Sequence, residues 1–244
     1  LRQPIGETWE EYTWGEVGDM ARRLASGLKS LNLREGAHIG IYSKNCREWI
    51  ISDLAIVMAG YVSVPFFPSL NGKELSYIMD YGDVDALFIG KIETWDDIKD
   101  DLPNEMPIIR FPKYEGCSNV TKGYEWHKFI NSNEPIKSPH QPKLSDLWTI
   151  IFTSGTTGEP KGVSLPVKAL SCIEAYAEFA YDLRQTDIFW NAADPGWAYG
   201  LYCGILATLT TGTPAILFEG GFSAQATVDI IDCLLYTSDA ADEV

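Results

Sequence analysis

Leu147-Trp148-Thr149-Ile150-Ile151-Phe152-Thr153-Ser154-Gly155-Thr156-Thr157-Gly158-Glu159-Pro160-Lys161-Gly162 runs from an apolar strand straight into a loop of glycines and hydroxyl residues. Small residues let backbone N–H groups turn inward around an anion, Ser and Thr hydroxyls donate further bonds, and Lys161 supplies a point charge. Several donors converge on one place, which is what a phosphate group needs. The same residue types also make ordinary surface turns. A Walker A loop requires G-x-x-x-x-G-K followed by Ser or Thr at the head of a helix, whereas Lys161 here follows Pro160 and precedes Gly162. No dinucleotide G-x-G-x-x-G follows a strand either.

Outward from that loop, strands alternate with helices. Thr13 and Glu16 have capping-box spacing, and Val17, Met20, Ala21, Leu24, Leu28 and Leu31 follow at helical period. Residues 37–42 read as a strand, 47–59 as a helix, 61–64 as a strand, 74–79 as a helix, 86–89 as a strand, 95–100 as a helix and 108–111 as a strand. Pro135, Pro139 and Pro142 mark a loop leading into the strand before the phosphate loop; beyond it come a helix over 174–183 and a strand over 189–191. The alternation predicts an α/β fold with mostly parallel sheets flanked by helices. Pro195 to Phe218 carries no charged side chain, but its threonines, Gly212 and Pro214 break it into a buried helix, a turn and a strand over 215–218 rather than a membrane span.

At 244 residues and 45% apolar, the chain is long enough to bury a sizeable core as one large domain. Its formal charge of −15 repels phosphate backbones and argues against nucleic acid as a partner. A nucleotide would have to be met by local positive charge and magnesium. The five cysteines show no C-x-x-C, which fits reduced thiols and a cytoplasmic setting, and His38, His127 and His140 lack metal-ligand spacing. No signal peptide is visible at Leu1.

The ten residues Thr153 to Gly162 closely resemble the phosphate loop of the adenylate-forming, AMP-binding enzymes: acyl-CoA synthetases, aryl-CoA ligases, luciferases and peptide-synthetase adenylation domains. Phe189-Trp190-Asn191-Ala192-Ala193-Asp194-Pro195-Gly196-Trp197-Ala198-Tyr199-Gly200 resembles the acyl-pocket segment of short- and medium-chain acyl-CoA synthetases, and Glu219-Gly220-Gly221-Phe222 the strand end after it. Tyr12 to Val17, Ser43 to Trp49 and Met58 to Pro65 look more like long-chain synthetases. The two leanings meet at the phosphate loop, so one gene and a joined pair of genes both remain open, as does chain length. Phe189 and Trp190 read first as core aromatics. Trp197, Ala198 and Tyr199, between Gly196 and Gly200, read as a pocket wall, with the glycines allowing close approach to a ligand.

The resemblance implies two half-reactions. A carboxylate attacks the α-phosphorus of ATP to give an acyl-adenylate and pyrophosphate, and the thiol of coenzyme A then displaces AMP. Backbone amides of Gly155 to Gly158 and the hydroxyls of Ser154, Thr156 and Thr157 would hold the outer phosphates. Thr153 is the candidate for the magnesium side, and Lys161 would neutralise charge or anchor the loop. Trp197, Ala198, Tyr199 and Gly200 would receive the acid. An aryl-CoA ligase, another adenylating enzyme and a non-catalytic nucleotide-binding module remain as alternatives.

The resemblance covers residues 1–232, read as part of the large N-terminal domain of such an enzyme. The family's later Thr-Glu pair, ribose-binding aspartate, hinge and small C-terminal domain with its adenylation lysine are not found, so this fragment is expected to be inactive alone. Cys233-Leu234-Leu235-Tyr236-Thr237-Ser238-Asp239-Ala240-Ala241-Asp242-Glu243 resembles the in-frame translation of a transposase-type sequencing-library adapter. Residues 233–244 are therefore expected to be a non-native tail; without its three acids the charge is −12.

Overall fold

The computed structural model describes residues 1–5, 8–153, 160–218 and 223–239, the side chains of the last stretch as far as residue 232. In chain order the elements are β1 Arg2–Ile5, β2 Thr8–Glu11, α1 Trp14–Ser30, β3 His38–Tyr42, α2 Arg47–Met58, β4 Val62–Phe66, α3 Gly72–Tyr81, β5 Val84–Ile89, α4 Trp95–Ile98, β6 Ile108–Arg110, β7 Tyr124–Glu125, α5 Trp126–Asn131, β8 Leu147–Thr153, β9 Lys161–Pro166, α6 Ala169–Phe179, β10 Phe189–Trp190, a π-helix Gly200–Leu206, α7 Ala207–Thr211, β11 Ala215–Ile216 and α8 Ala224–Asp239. The expected α/β architecture is what the chain adopts.

Seven strands form one sheet in the order β7-β6-β5-β3-β4-β8-β9, and every neighbouring pair is parallel except β8 with β9. Alternate residues of the central strands point to opposite faces. Ile39, Ile41, Ala86 and Phe88 enter one apolar cluster with α1, α2 and α5, while Tyr42, Leu87 and Ile89 enter a second with α3 and α4. Both faces are thereby covered, as a parallel sheet requires.

A second sheet, ordered β10-β11-β1-β2, shares the first cluster through Leu217, Ala215 and the π-helix residues Leu201 and Ile205. α2 is buried nearly all round because it lies inside these layers. α1 instead buries one stripe, Val17, Ala21, Leu24 and Leu28, and is opened by the expected capping box: Glu16 N–H donates to Thr13 Oγ1 (3.2 Å) and Thr13 N–H to Glu16 Oε2 (2.8 Å).

Several elements depart from the sequence reading. The helix expected over 174–183 is α6, which begins at Ala169 and stops at Phe179; Asp182, at φ 52°, has left helical geometry. Lys161, read as the end of a loop, is the first residue of β9. β1, β2, β7, α5, β9 and α8 have no counterpart in the sequence reading. α8 continues as helix through Asp239, so its backbone crosses residue 233 without a break. The contacts of residues 233–244 lie outside the described side chains.

One buried acid gives the fold a pH dependence. Asp53, on α2, is fully buried and accepts a hydrogen bond from the Trp148 indole (3.1 Å). Burial drives its carboxyl up to about 6, against the opposing pull of Ser63 and Trp148. Below about pH 4 the acid is protonated whether folded or not, so it exerts no pull. As pH rises through 4 to 6 the unfolded chain ionises first, and stability falls until the folded group has also ionised. Asp53→Asn keeps an acceptor for Trp148 and removes this drift. Denaturant midpoints at pH 4 and pH 7.5 are expected to show the variant gaining about 2–3 kcal/mol on the parent chain across that interval. Parallel pH profiles for the two would refute it.

Candidate functional site

β8 and β9 form an antiparallel hairpin in which Phe152 pairs with Gly162 and Thr153 with Lys161. Directly opposed residues of such a ladder project from the same face with Cβ atoms about 5 Å apart. Thr153 and Lys161 are thus neighbours at the mouth of the hairpin, both exposed. Ser154, Gly155, Thr156, Thr157 and Gly158 lie outside the described residues, as do Glu219 to Phe222. Below the mouth, buried Phe152 meets the Tyr81 ring edge-on at 6.0 Å, which holds the end of β8 against α3.

The far end of β9 lies beside a cavity of about 390 Å³ between α6 and the π-helix. Leu165, Ala169, Ile173, Tyr199, Tyr202 and Cys203 are among its walls, and none of the described lining residues is charged. Tyr181 stands behind this wall, its hydroxyl 3.1 Å from Tyr199 Oη and 2.9 Å from Cys203 Sγ. Burial, assisted by Cys203 and Tyr199, holds the Tyr181 phenol above its ordinary range, so it stays neutral. The π-helix beginning at Gly200 is the kind of widened turn that recurs at functional sites.

The acyl-pocket candidates separate in space. Tyr199 lines the cavity; Trp197, 59% exposed, rests on the Phe67 ring at 4.5 Å, and Ala198 packs towards the main core. Gly196 and Gly200 are required by contacts within the chain: a Cβ on Gly196 would lie 2.6 Å from the Phe66 carbonyl oxygen and one on Gly200 2.1 Å from that of Asp194. The close approach expected towards a ligand is, at both glycines, an approach to the chain's own backbone.

Sequence reasoning missed Ile173, Cys203 and Tyr181. The signal was present in part: Tyr199, Cys203 and Ala207 recur every four residues, as do Ala169 and Ile173, which predicts one shared apolar face for two helices. Among the described residues no group of three His, Cys, Asp or Glu could hold a metal ion, and no helix is long and apolar enough to cross a membrane. Cys46, Cys117, Cys172 and Cys203 are free thiols.

Known proteins share this fold. The chain is 32% identical over 204 residues to long chain acyl-CoA synthetase 6, peroxisomal, of Arabidopsis thaliana, covering 77% of this chain and 28% of that protein. The crystal structure of Brucella canis acyl-CoA synthetase superposes with a TM-score of 0.85 at 30% identity, over 96% of this chain and 42% of that one. A benzoate CoA ligase from Burkholderia xenovorans LB400 shares the fold, with a TM-score of 0.79 at 20% identity over 93% of this chain and 44% of that one. The chain spans 26–28% of the length of the first curated relatives it matches. The family model for AMP-binding enzymes matches residues 2–234, taking in the hairpin, the cavity and both sheets, and this chain belongs to that family.

Proposed function

We propose that this chain is the acid- and phosphate-binding part of an ATP-dependent acid–CoA ligase that works through an acyl-adenylate. The observation that carries the reading is β9, which starts at the hairpin mouth with Lys161 and reaches the uncharged cavity with Leu165. Four residues of strand span about 13 Å. A nucleotide with its phosphates at the mouth and a carboxylic acid with its tail in the cavity would be brought together along that strand.

In this arrangement ATP and coenzyme A are co-substrates and the protein's contribution is position and charge. Lys161 would counter the charge gathering on the phosphate oxygens. Magnesium would neutralise the phosphates further, and the exposed Thr153 hydroxyl is the residue at the mouth suited to it; hard cations of this kind commonly take most of their ligands from phosphate and water. The uncharged cavity would bury an apolar tail and disfavour acids bearing a second charge. Free thiols fit our placement of the protein in the cytoplasm.

The relatives bear different acids in their names, and the wider reading, an acid–CoA ligase not confined to fatty acids, has more support than a fatty-acid enzyme. The test is ATP–pyrophosphate exchange by a full-length protein carrying this sequence, across straight-chain acids from C2 to C12 and benzoate. Exchange with none of them would favour a nucleotide-binding module without ligase chemistry. In the same series Tyr199→Gly is expected to enlarge the cavity and move the optimum to longer acids, each further buried methylene contributing up to about 0.8 kcal/mol, roughly fourfold in kcat/KM. An unchanged profile in a folded variant would remove Tyr199 from the substrate site.

A further inference from the structure

The strand order of the larger sheet reverses at β3, where β4 lies on one side and β5 on the other, and again where β8 returns to lie beside β4. In open α/β sheets ligands gather outside the C-terminal ends of the strands at such a reversal. Here the crevice lies beyond Tyr42 of β3 and Ile89 of β5, between Ser43–Asn45 and Gly90–Lys91. Lys91 is buried, its ammonium 3.8 Å from the centre of the Tyr114 ring and 3.4 Å from the Asn45 carbonyl oxygen, while Lys44 pairs with Glu93. The group that enters this basic crevice comes from elsewhere in the chain. Asn45 N–H donates to Asp194 Oδ1 at 2.9 Å, joining residues 149 positions apart.

We propose that Asp194 is a positioning residue: its carboxylate serves as the built-in ligand of the switch-point crevice and so fixes the segment 194–200 that sets Tyr199 in the cavity wall. The segment carries the constraint forward through its backbone. The Asp194 carbonyl accepts from Trp197 N–H (3.0 Å), the Trp197 carbonyl accepts from Leu201 N–H (3.0 Å), and Leu201 is buried in the first turn of the π-helix. On the two flanks Gly196 lies against the Phe66 carbonyl and Gly200 against that of Asp194, so the segment has little room to shift sideways. Burial raises the Asp194 carboxyl, and the Asn45 N–H, Lys44 and Lys91 oppose that rise. These are the charged and donor groups that draw the side chain into the crevice.

The consequence for the acid rests on the function proposed above; the anchoring itself does not. The test is amide hydrogen exchange at residue resolution on the 244-residue chain. Asp194→Ala is expected to lower protection at Asn45, Trp197 and Leu201 by about tenfold or more, with Ile39 to Ile41 in β3 unchanged. Asp194→Asn retains an oxygen acceptor and is expected to restore that protection. If the Ala variant fails to fold, the Asn variant decides: parent-like protection at the three amides supports the anchor, and loss at all three overturns it. Unchanged protection in a folded Ala variant also overturns it. A second arm titrates decanoate into the parent chain and the folded Ala variant, where weaker binding by the variant is the expected result. Decanoate failing to bind the parent would count against the function proposed for the cavity, while the exchange pattern would still decide the role of Asp194.

Discussion

Lys161→Ala, in a full-length protein carrying this sequence, is expected to slow acyl-adenylate formation by about a hundredfold or more while leaving thioester formation from supplied acyl-adenylate within a few-fold of the parent. The asymmetry follows from where charge gathers. In the reaction proposed above pyrophosphate departs in the first half-reaction, where an ammonium beside its oxygens would stabilise the transition state more than the ground state. By the second half-reaction those phosphates have gone. Lys161 is well placed for this because strand pairing with Thr153 fixes its backbone at the hairpin mouth, while the side chain is exposed and available to a ligand. Rapid-quench measurement of each half-reaction separates the two effects. Equal losses in both would assign Lys161 to the fold alone.

Trp126→Ala is expected to be severely destabilising, costing about 3–5 kcal/mol out of the roughly 5–15 that a domain possesses. Trp126 opens α5 and is 2% exposed. Its ring meets Phe111 edge-on at 5.1 Å and Phe88 at 6.1 Å, so it closes an aromatic cluster over β5 and β6. Cutting it to a methyl leaves a void with rigid walls. Equilibrium denaturation with the variant and its Trp126→Phe counterpart checks this: Phe is expected to recover part of the loss. A loss below about 1 kcal/mol for Ala would show that the cluster closes up by relaxation.

Trp126 also shows where the sequence was hard to read. The alternation from Thr13 to Phe111 is legible in its right order because apolar runs and breakers mark the elements, helped at α1 by the capping box of Thr13 and Glu16 and at α3 by that of Asn71 and Glu74. α5 is six residues long and β7 two, too short to display any period; tertiary packing of Trp126, Phe129 and Ile130 defines them. β1 and β2 are four residues each and pair with each other, and β1 is joined to the sheet by β11, a partner over two hundred residues away that a local pattern cannot express. At the site, residue types alone single out Thr153 and Lys161 as candidates, and strand pairing sets the two opposite each other. Leu165, Ile173 and Cys203 are not singled out, because an apolar wall looks like core until a cavity is seen beside it.

The division of β3 between two apolar clusters governs how this architecture can change. Ile39 and Ile41 serve one cluster and Tyr42 the other. Slipping the strand by one residue would exchange the two sets, sending isoleucines to the face of α3 and α4 and the tyrosine to the face of α1 and α2. Point substitutions in β3 disturb one side at a time, but a single inserted or deleted residue would disturb both together. A change of length is therefore expected to cost more in the central strand than in an exposed connection. A chain of this kind can evolve new loops around a frame whose middle is fixed in number as well as in character.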